Sequence, residues 1–206
     1  MSQSSVDPVS VYFVDDDPAM VRYVDAVLTA AGYNVHPFTD VDAFLAVCDS
    51  AIRGCILLDV QMPSLSGPEL QTVLHQRGIN APVLFLTGQG DVTTAVEVMR
   101  RGALDLIEKP ISADDLVARV RRAIDEDAGN VRRRDAREVV NARWRSLSAR
   151  EQEVCVKISM GDANKTVARE FGISERTVEV HRSKVMMKMG ASSLAELVLM
   201  YSKCHD

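Results

Sequence analysis

Four short apolar runs in the first half of this 206-residue chain each lead into a chemically reactive side chain. Val11-Tyr12-Phe13-Val14 runs into Asp15-Asp16, Cys55-Ile56-Leu57-Leu58 into Asp59, Val83-Leu84-Phe85-Leu86 into Thr87, and Leu106-Ile107 is followed at one remove by Lys109. Apolar runs of that length, bounded by polar and turn residues, read as buried parallel strands. Ligands of an open α/β sheet bind outside the carboxyl ends of its strands. The pattern therefore predicts Asp15, Asp16, Asp59, Thr87 and Lys109 on one edge of one sheet.

Helical patterns follow each run, over residues 18–31, 40–48, 67–76, 91–101 and 113–123. Pro18 at a helix start and Gly32 beyond its end are the usual punctuation. A further strand is expected near Asn34-Val35-His36-Pro37-Phe38, where Pro37 confines it to an edge or an irregular strand. Five strands alternating with five helices predict a five-stranded, doubly wound parallel (flavodoxin-like) domain over residues 1–125, with right-handed crossovers.

Residues 126–145 differ in texture. Arginines interleave with acids, and Gly129-Asn130 would weaken a helix by about 1 kcal/mol, so this segment reads as a linker of undecided stiffness, open to a helical form. Residues 146–206 hold closely spaced helix starts and no strand pattern. Ser148-Ala149-Arg150-Glu151 and Ser193-Leu194-Ala195-Glu196 are capping boxes, and Asn164 and Ser174 are further N-cap candidates. The run from Val167 through Gly172 to Ser174 is a helix, a glycine stop, a short turn and a new cap, which builds a helix-turn-helix pair. A small all-α domain of four helices is expected, with Leu147, Val154, Ile158, Val167, Phe171, Ile173, Val178 and Val185 as its core.

Charge divides the chain the same way. Residues 1–125 carry 17 Asp and Glu against 9 Lys and Arg, net −8, whereas residues 126–206 carry 12 against 15, net +3. A cation site in the first half and a polyanion site in the second fit that asymmetry. No apolar run approaches the roughly 20 residues that span a bilayer, and Met1-Ser2-Gln3-Ser4-Ser5 is no secretory leader. A cytoplasmic protein without membrane contacts is expected. Cys48, Cys55, Cys155 and Cys204 show neither CxxC spacing nor neighbouring histidines and read as reduced packing residues.

Crowded carboxylates beside a hard divalent cation are the arrangement for accepting a phosphoryl group, because Mg2+ offsets repulsion between an aspartate nucleophile and phosphate oxygens. On this reading Asp16 and Asp59 ligate Mg2+, Asp15 holds the metal's waters, and Lys109 and Thr87 meet phosphoryl oxygens.

Phe13-Val14-Asp15-Asp16-Asp17, Leu58-Asp59-Val60-Gln61-Met62-Pro63 with Ser66-Gly67, Leu86-Thr87-Gly88 and Glu108-Lys109-Pro110 resemble the motifs of response-regulator receiver domains. The stretch Thr87-Gly88-Gln89-Gly90-Asp91-Val92, with Ala95-Val96 and Gly102-Ala103, is similar to the FixJ branch. The resemblance implies that Asp59 is the phosphoacceptor and that the Gln61 backbone carbonyl completes the metal shell. It also implies a sensor histidine kinase as partner. Leu106 departs from the pattern, since many receivers carry Tyr or Phe there to couple an inward hydroxyl to an aromatic rotamer. Asp17 is expected to be peripheral, a cap for the helix at Pro18.

Leu147 to Val154, Asn164-Lys165-Thr166-Val167-Ala168, Gly172-Ile173-Ser174 and Thr177-Val178-Glu179-Val180-His181-Arg182 resemble the LuxR-type DNA-binding domain. Together the two resemblances imply a response regulator of the FixJ/NarL type that binds promoter DNA, with RNA polymerase as a further candidate partner and homodimerisation on phosphorylation. Glu179, Val180 and Ser183 would face bases, with Glu179 accepting from cytosine and Val180 touching a thymine methyl. Lys165, Thr177, His181, Arg182, Lys184 and Lys188 would grip phosphates. Met186, Met187 and Met189 read as packing residues, and the helix carrying Leu194, Leu197, Val198, Met200 and Tyr201 as a pairing surface.

Two other classes share parts of the pattern. A phosphohydrolase with an aspartate nucleophile would carry a second carboxylate two residues on, where this chain has Gln61. That disfavours an enzyme and leaves only slow self-dephosphorylation. The other class, a phosphorylation-independent binding module, would not need the acceptor set.

Overall fold

The computed structural model describes residues 9–88 and 92–205. The N-terminal segment read for a leader, the Gln89-Gly90-Asp91 part of the FixJ-like motif and Asp206 lie outside the described residues. Compact structure divides between Asn130 and Val131.

In the first unit, β1 (Ser10–Val14), α1 (Pro18–Ala30), β2 (Asn34–Phe38), α2 (Val41–Val47), β3 (Gly54–Asp59), α3 (Gly67–Gln76), β4 (Val83–Thr87), α4 (Val92–Arg100) and β5 (Asp105–Glu108) alternate along the chain. All strand pairs are parallel, in the order β2-β1-β3-β4-β5. Edge placement of β2 accommodates Pro37, whose missing N–H would break a central ladder. Odd and even strand positions go to opposite faces. Ile56, Leu58 and Phe85 pack with Phe44, Leu70, Leu74 and Val98 of α2, α3 and α4. Cys55, Leu57 and Leu84 pack with Val24 and Leu28 of α1 and with Leu116 and Val120 of the following helix. Burying each such Leu or Phe contributes about 1.5–3 kcal/mol, so both sheet faces are strongly specified. Each strand's carboxyl end is thereby fixed at the same edge.

The helix α5 (Ala113–Arg145) runs unbroken through residues 126–145 and serves both units. Asp127, 5% exposed, explains how the stretch around Gly129-Asn130 stays helical. Its carboxylate accepts from the Gly54 N–H at 3.0 Å and from Arg53 Nε at 3.1 Å. Gly54 is required at that junction: its φ is +109°, and a Cβ there would lie 1.9 Å from the Ser10 carbonyl oxygen.

In the second unit, α6 (Ala149–Ser159), α7 (Asn164–Phe171), α8 (Glu175–Met189) and α9 (Leu194–His205) enclose a core of Leu147, Val154, Ile158, Val167, Val178, Val185 and Met189, joined by Val140 of α5. Ser148 and Glu151 form the expected capping box, and Ser174 caps α8 through the Thr177 N–H. Asn164 is not a cap. Ala163 takes that position, and Asn164 opens α7. Gly172 ends α7 at φ +64°, a left-handed turn that favours glycine and makes the corner of the helix-turn-helix. Among the described residues no helix is long and apolar enough to cross a membrane.

Candidate phosphoacceptor site and DNA-reading helix

The ends of β1, β3 and β4 and the residue after β5 carry Asp15, Asp59, Thr87 and Lys109. Asp15 is 1% exposed and Asp59 6%. Lys109 Nζ donates to both, at 2.8 Å to Asp15 Oδ2 and 2.5 Å to Asp59 Oδ1. The remaining Asp59 oxygen accepts the Gln61 N–H at 2.8 Å. Burial raises the Asp59 pKa above the usual carboxylate value, and the hydrogen bond and charge of Lys109 only partly offset it. For Lys109 burial works downward, but its hydrogen bonds with Asp15 and Asp59 outweigh it and hold the ammonium form firmly. The Lys109-Pro110 peptide is cis.

Thr87 is buried, and its hydroxyl donates to the Gly88 carbonyl at 3.1 Å. Asp16 is exposed and lines a groove of about 700 Å³ that continues along Gln61, Met62 and Ser66 to Arg101. Asp17 caps α1, its carboxylate accepting the Ala19 N–H at 2.8 Å, as expected for a peripheral third acid. Leu106 is half-buried on the α4 side of the sheet, in register with Phe85 and two residues before Glu108, the residue opposite Thr87.

Among the described residues no three acidic, thiol or imidazole groups form a closed metal cage. Mg2+ does not need one, because it is usually held by one or two carboxylates and keeps several waters. Asp15 and Asp59, bridged by the Lys109 ammonium, bring two carboxylates together at the strand ends, with Asp16 exposed at the open rim.

In the second unit the exposed side of α8 carries Arg176, Val180, Ser183, Lys184 and Met187, spaced i, i+4, i+7, i+8 and i+11, with Glu179 beside them. Val178, Val185 and Met189 face the core. Glu179, Val180, Ser183 and Lys184 therefore share one solvent-facing stripe, and Lys165 of α7 is also exposed. Other expected contacts are spent internally. Lys188 Nζ donates to Glu151 Oε2 at 2.6 Å and to the Ser146 carbonyl at 3.3 Å, so its ammonium is engaged within the unit. Arg182 donates to Asn164 Oδ1 at 3.2 Å, joining the two helices of the motif. Thr177 shares its hydroxyl with Ser174 at 2.8 Å. His181 is half-buried, with Nδ1 turned inward and unpartnered among the described residues.

Known proteins share both halves. The family of response regulator receiver domains matches residues 11–121, and the luxR family of bacterial regulatory proteins matches residues 145–201. The chain is 44% identical to the transcriptional regulatory protein FixJ of Azorhizobium caulinodans over 92% of its own length and 90% of that protein's. It is 38% identical to the tetrathionate response regulatory protein TtrR of Salmonella typhimurium, over 94% and 92%. The chain belongs to the response regulators. Among solved structures it superposes on the response regulator StyR with a TM-score of 0.80 at 33% identity, covering 95% of this chain and 99% of that one. Full-length FixJ of B. japonicum gives 0.60 at 40%, covering 96% and 97%. This response regulator thus joins a receiver to a LuxR-type DNA-binding domain, as FixJ-like transcriptional regulators do.

Several residues of the regulator escaped sequence reasoning. Arg176 and Met187 complete the α8 stripe, and Met187, 72% exposed, is not the packing residue expected. The 3.6-residue period of α8 was sufficient to find both. In α9, Leu197 is fully buried, Met200 packs on the core and Tyr201 packs on Trp144 with ring centroids 5.7 Å apart, so the expected pairing surface reduces to Leu194 and Val198, beside which Leu199 is also exposed. Arg143 donates to the Met189 carbonyl at 2.8 Å and closes the end of α8, a contact with no local signature.

Proposed function

We propose that Asp59 accepts a phosphoryl group from a sensor histidine kinase, and that this modification switches dimerisation and promoter binding. The observation that carries the reading is the Lys109 ammonium held between Asp15 and Asp59 at the strand ends. It keeps a positive charge where phosphoryl oxygens would arrive. In the transfer an Asp59 oxygen bonds to phosphorus as the phosphorus–nitrogen bond to the kinase histidine breaks, and the departing imidazole takes up a proton. Receiver domains use Mg2+ for this reaction, and here Asp15, Asp16, Asp59 and the Gln61 carbonyl are the residues that would hold it, supplying charge neutralisation at the phosphoryl oxygens. Lys109 then moves its hydrogen bond from Asp59 to a phosphoryl oxygen, and the Thr87 hydroxyl turns from the Gly88 carbonyl toward another.

Leu106 lies on the α4 side beside Phe85, so movement at Thr87 passes to an aliphatic contact rather than an aromatic rotamer. Val96 and Met99 of α4, each 46% exposed, supply the apolar surface of a phosphorylation-dependent homodimer. Residues 1–125 act as the receiver and 146–206 as the DNA-binding domain. The helical stretch 126–145 connects them, and its first turn is tied to the receiver through Asp127. In the DNA-binding domain Glu179, Val180 and Ser183 read bases, while Lys165 and Lys184 contact phosphates, with His181, Arg182 and Thr177 in support. RNA polymerase is the partner at the promoter, and the site of action is the cytoplasm. Gln61 leaves hydrolysis of phospho-Asp59 without a second carboxylate, so self-dephosphorylation is slow.

The test is incubation with Mg2+ and acetyl phosphate, followed by intact mass and gel filtration of wild type and Asp59→Asn. A phosphoryl adduct and a shift toward dimer in the wild type alone are expected. No adduct on the wild type would overturn the assignment.

A further inference from the structure

The LuxR-type domain is poorly charged for its task. Residues 146–206 carry 9 Lys and Arg against 8 Asp and Glu, net +1, although affinity for DNA rests largely on neutralised phosphates. Residues 131–145 of α5 belong to the same compact unit and carry six arginines against Asp135 and Glu138, net +4. Most of the unit's net positive charge therefore lies in this α5 segment rather than in residues 146–206.

That charge is arranged. Arg134, Arg137, Asn141 and Arg145 are spaced i, i+3, i+7 and i+11 and form one stripe about 17 Å long. Val140 and Trp144 pack against the core of the unit, while all three arginines of the stripe are exposed, Arg145 in a solvent-exposed ion pair with Glu138 at 3.2 Å that salt screens and a phosphate can replace. The stripe ends beside the DNA-reading helix, since Arg143 bonds the Met189 carbonyl at 2.8 Å and Lys188 reaches the Ser146 carbonyl at 3.3 Å.

We infer that the arginine stripe of α5 is a second DNA-contacting surface that holds backbone phosphates flanking the site read by α8. It rests on the assignment of DNA reading to α8 and adds a surface to it. A second copy of the chain is a poor occupant. Among the described residues Val139 is the one exposed large apolar side chain of residues 131–145, whereas a helical pair needs an apolar seam. Two such stripes would also set arginine against arginine. Phosphates satisfy the guanidinium groups by charge and by paired N–H donors. Such contacts strengthen binding without reading sequence.

The test uses the full chain and a duplex selected by the wild type from random sequence, with and without flanking base pairs beyond the α8 site. Anisotropy titrations from 50 to 200 mM salt compare wild type with Arg134→Ala/Arg137→Ala/Arg145→Ala. Alanine keeps the helix favourable. The triple variant should flatten the slope of log affinity against log salt by about two to three units, so that the wild type loses roughly 15- to 60-fold more affinity over that interval. The selected sequence should stay the same, the three lysine replacements should restore the slope, and trimming the flanks should flatten the wild type alone. Arg132→Ala, off the stripe, should leave the slope unchanged. An unaltered slope in the triple variant overturns the inference, as does equal flattening by Arg132→Ala or a loss confined to the dimer in sedimentation. If Glu179→Ala and Lys184→Ala leave binding untouched, it is the α8 assignment that fails.

Discussion

Lys188 Nζ, from α8, lies 2.6 Å from Oε2 of Glu151, the carboxylate that also caps α6 through the Ser148 N–H at 2.8 Å. One side chain thus ties the start of α6 to the last turn of α8. The Lys188 hydrogen bond first, and the Ser148 amide second, lower the Glu151 pKa from its ordinary 4.5 to about 2. A depressed folded-state value means that this stabilisation is fully present above pH 4.5 and is lost as pH falls toward 2. Urea unfolding followed through Trp144, the chain's single tryptophan, should show a steep loss of stability across that window. Glu151→Gln should be less stable at pH 7 and should lose less stability than the wild type between pH 4.5 and 2. A mutant acid limb as steep as that of the wild type would exclude this pair as its cause.

Asp59 predicts the opposite sign. Its pKa is raised, chiefly by burial, so the folded receiver favours the protonated acid and carries an unfavourable charge at neutral pH without metal. Asp59→Asn should therefore raise the metal-free thermal midpoint at pH 7. Saturating Mg2+ should then narrow the gap by stabilising the wild type. A lower midpoint for the variant in EDTA would show that the Lys109 hydrogen bonds outweigh desolvation.

Asp127 sets a third expectation. Replacing it with Ala leaves the Gly54 N–H buried without its acceptor, which costs about 1–3 kcal/mol. The urea midpoint of the receiver should fall accordingly, and hydrogen exchange at Gly54 should accelerate. Unchanged protection at Gly54 would mean that the contact does not hold α5 to the sheet.

These cases mark which features were legible beforehand. The acidic edge was readable because strand ends are local: an apolar run stops, and the next side chain lies at the carboxyl edge. Pro37 narrowed β2 to an edge or an irregular strand, and the sheet order makes it the edge. The continuity of α5 was not readable, because Gly129-Asn130 argues against a helix locally while its support comes from Gly54, 73 residues before Asp127. The internal engagement of Lys188 was hidden for the same reason. On α8 it looks like any surface lysine, and its partner Glu151 is 37 residues away. Charge and periodicity locate a binding face, but only packing shows which of its cations are already used.

Lys184 and Lys188 test that distinction directly, since they sit one turn apart on α8 with different surroundings. Lys184 is exposed on the stripe with Val180 and Ser183, so Lys184→Ala should flatten the salt dependence of DNA affinity by about one unit and leave the unfolding curve near that of the wild type. Lys188→Met strands the Glu151 carboxylate at 6% side-chain exposure. It should lower the urea midpoint while leaving the salt slope of the folded protein intact. Measuring both properties on both variants separates a phosphate contact from an internal tie. A flattened slope for Lys188→Met with unchanged stability would return Lys188 to the DNA surface and place the Glu151 pair among contacts that contribute nothing to folding.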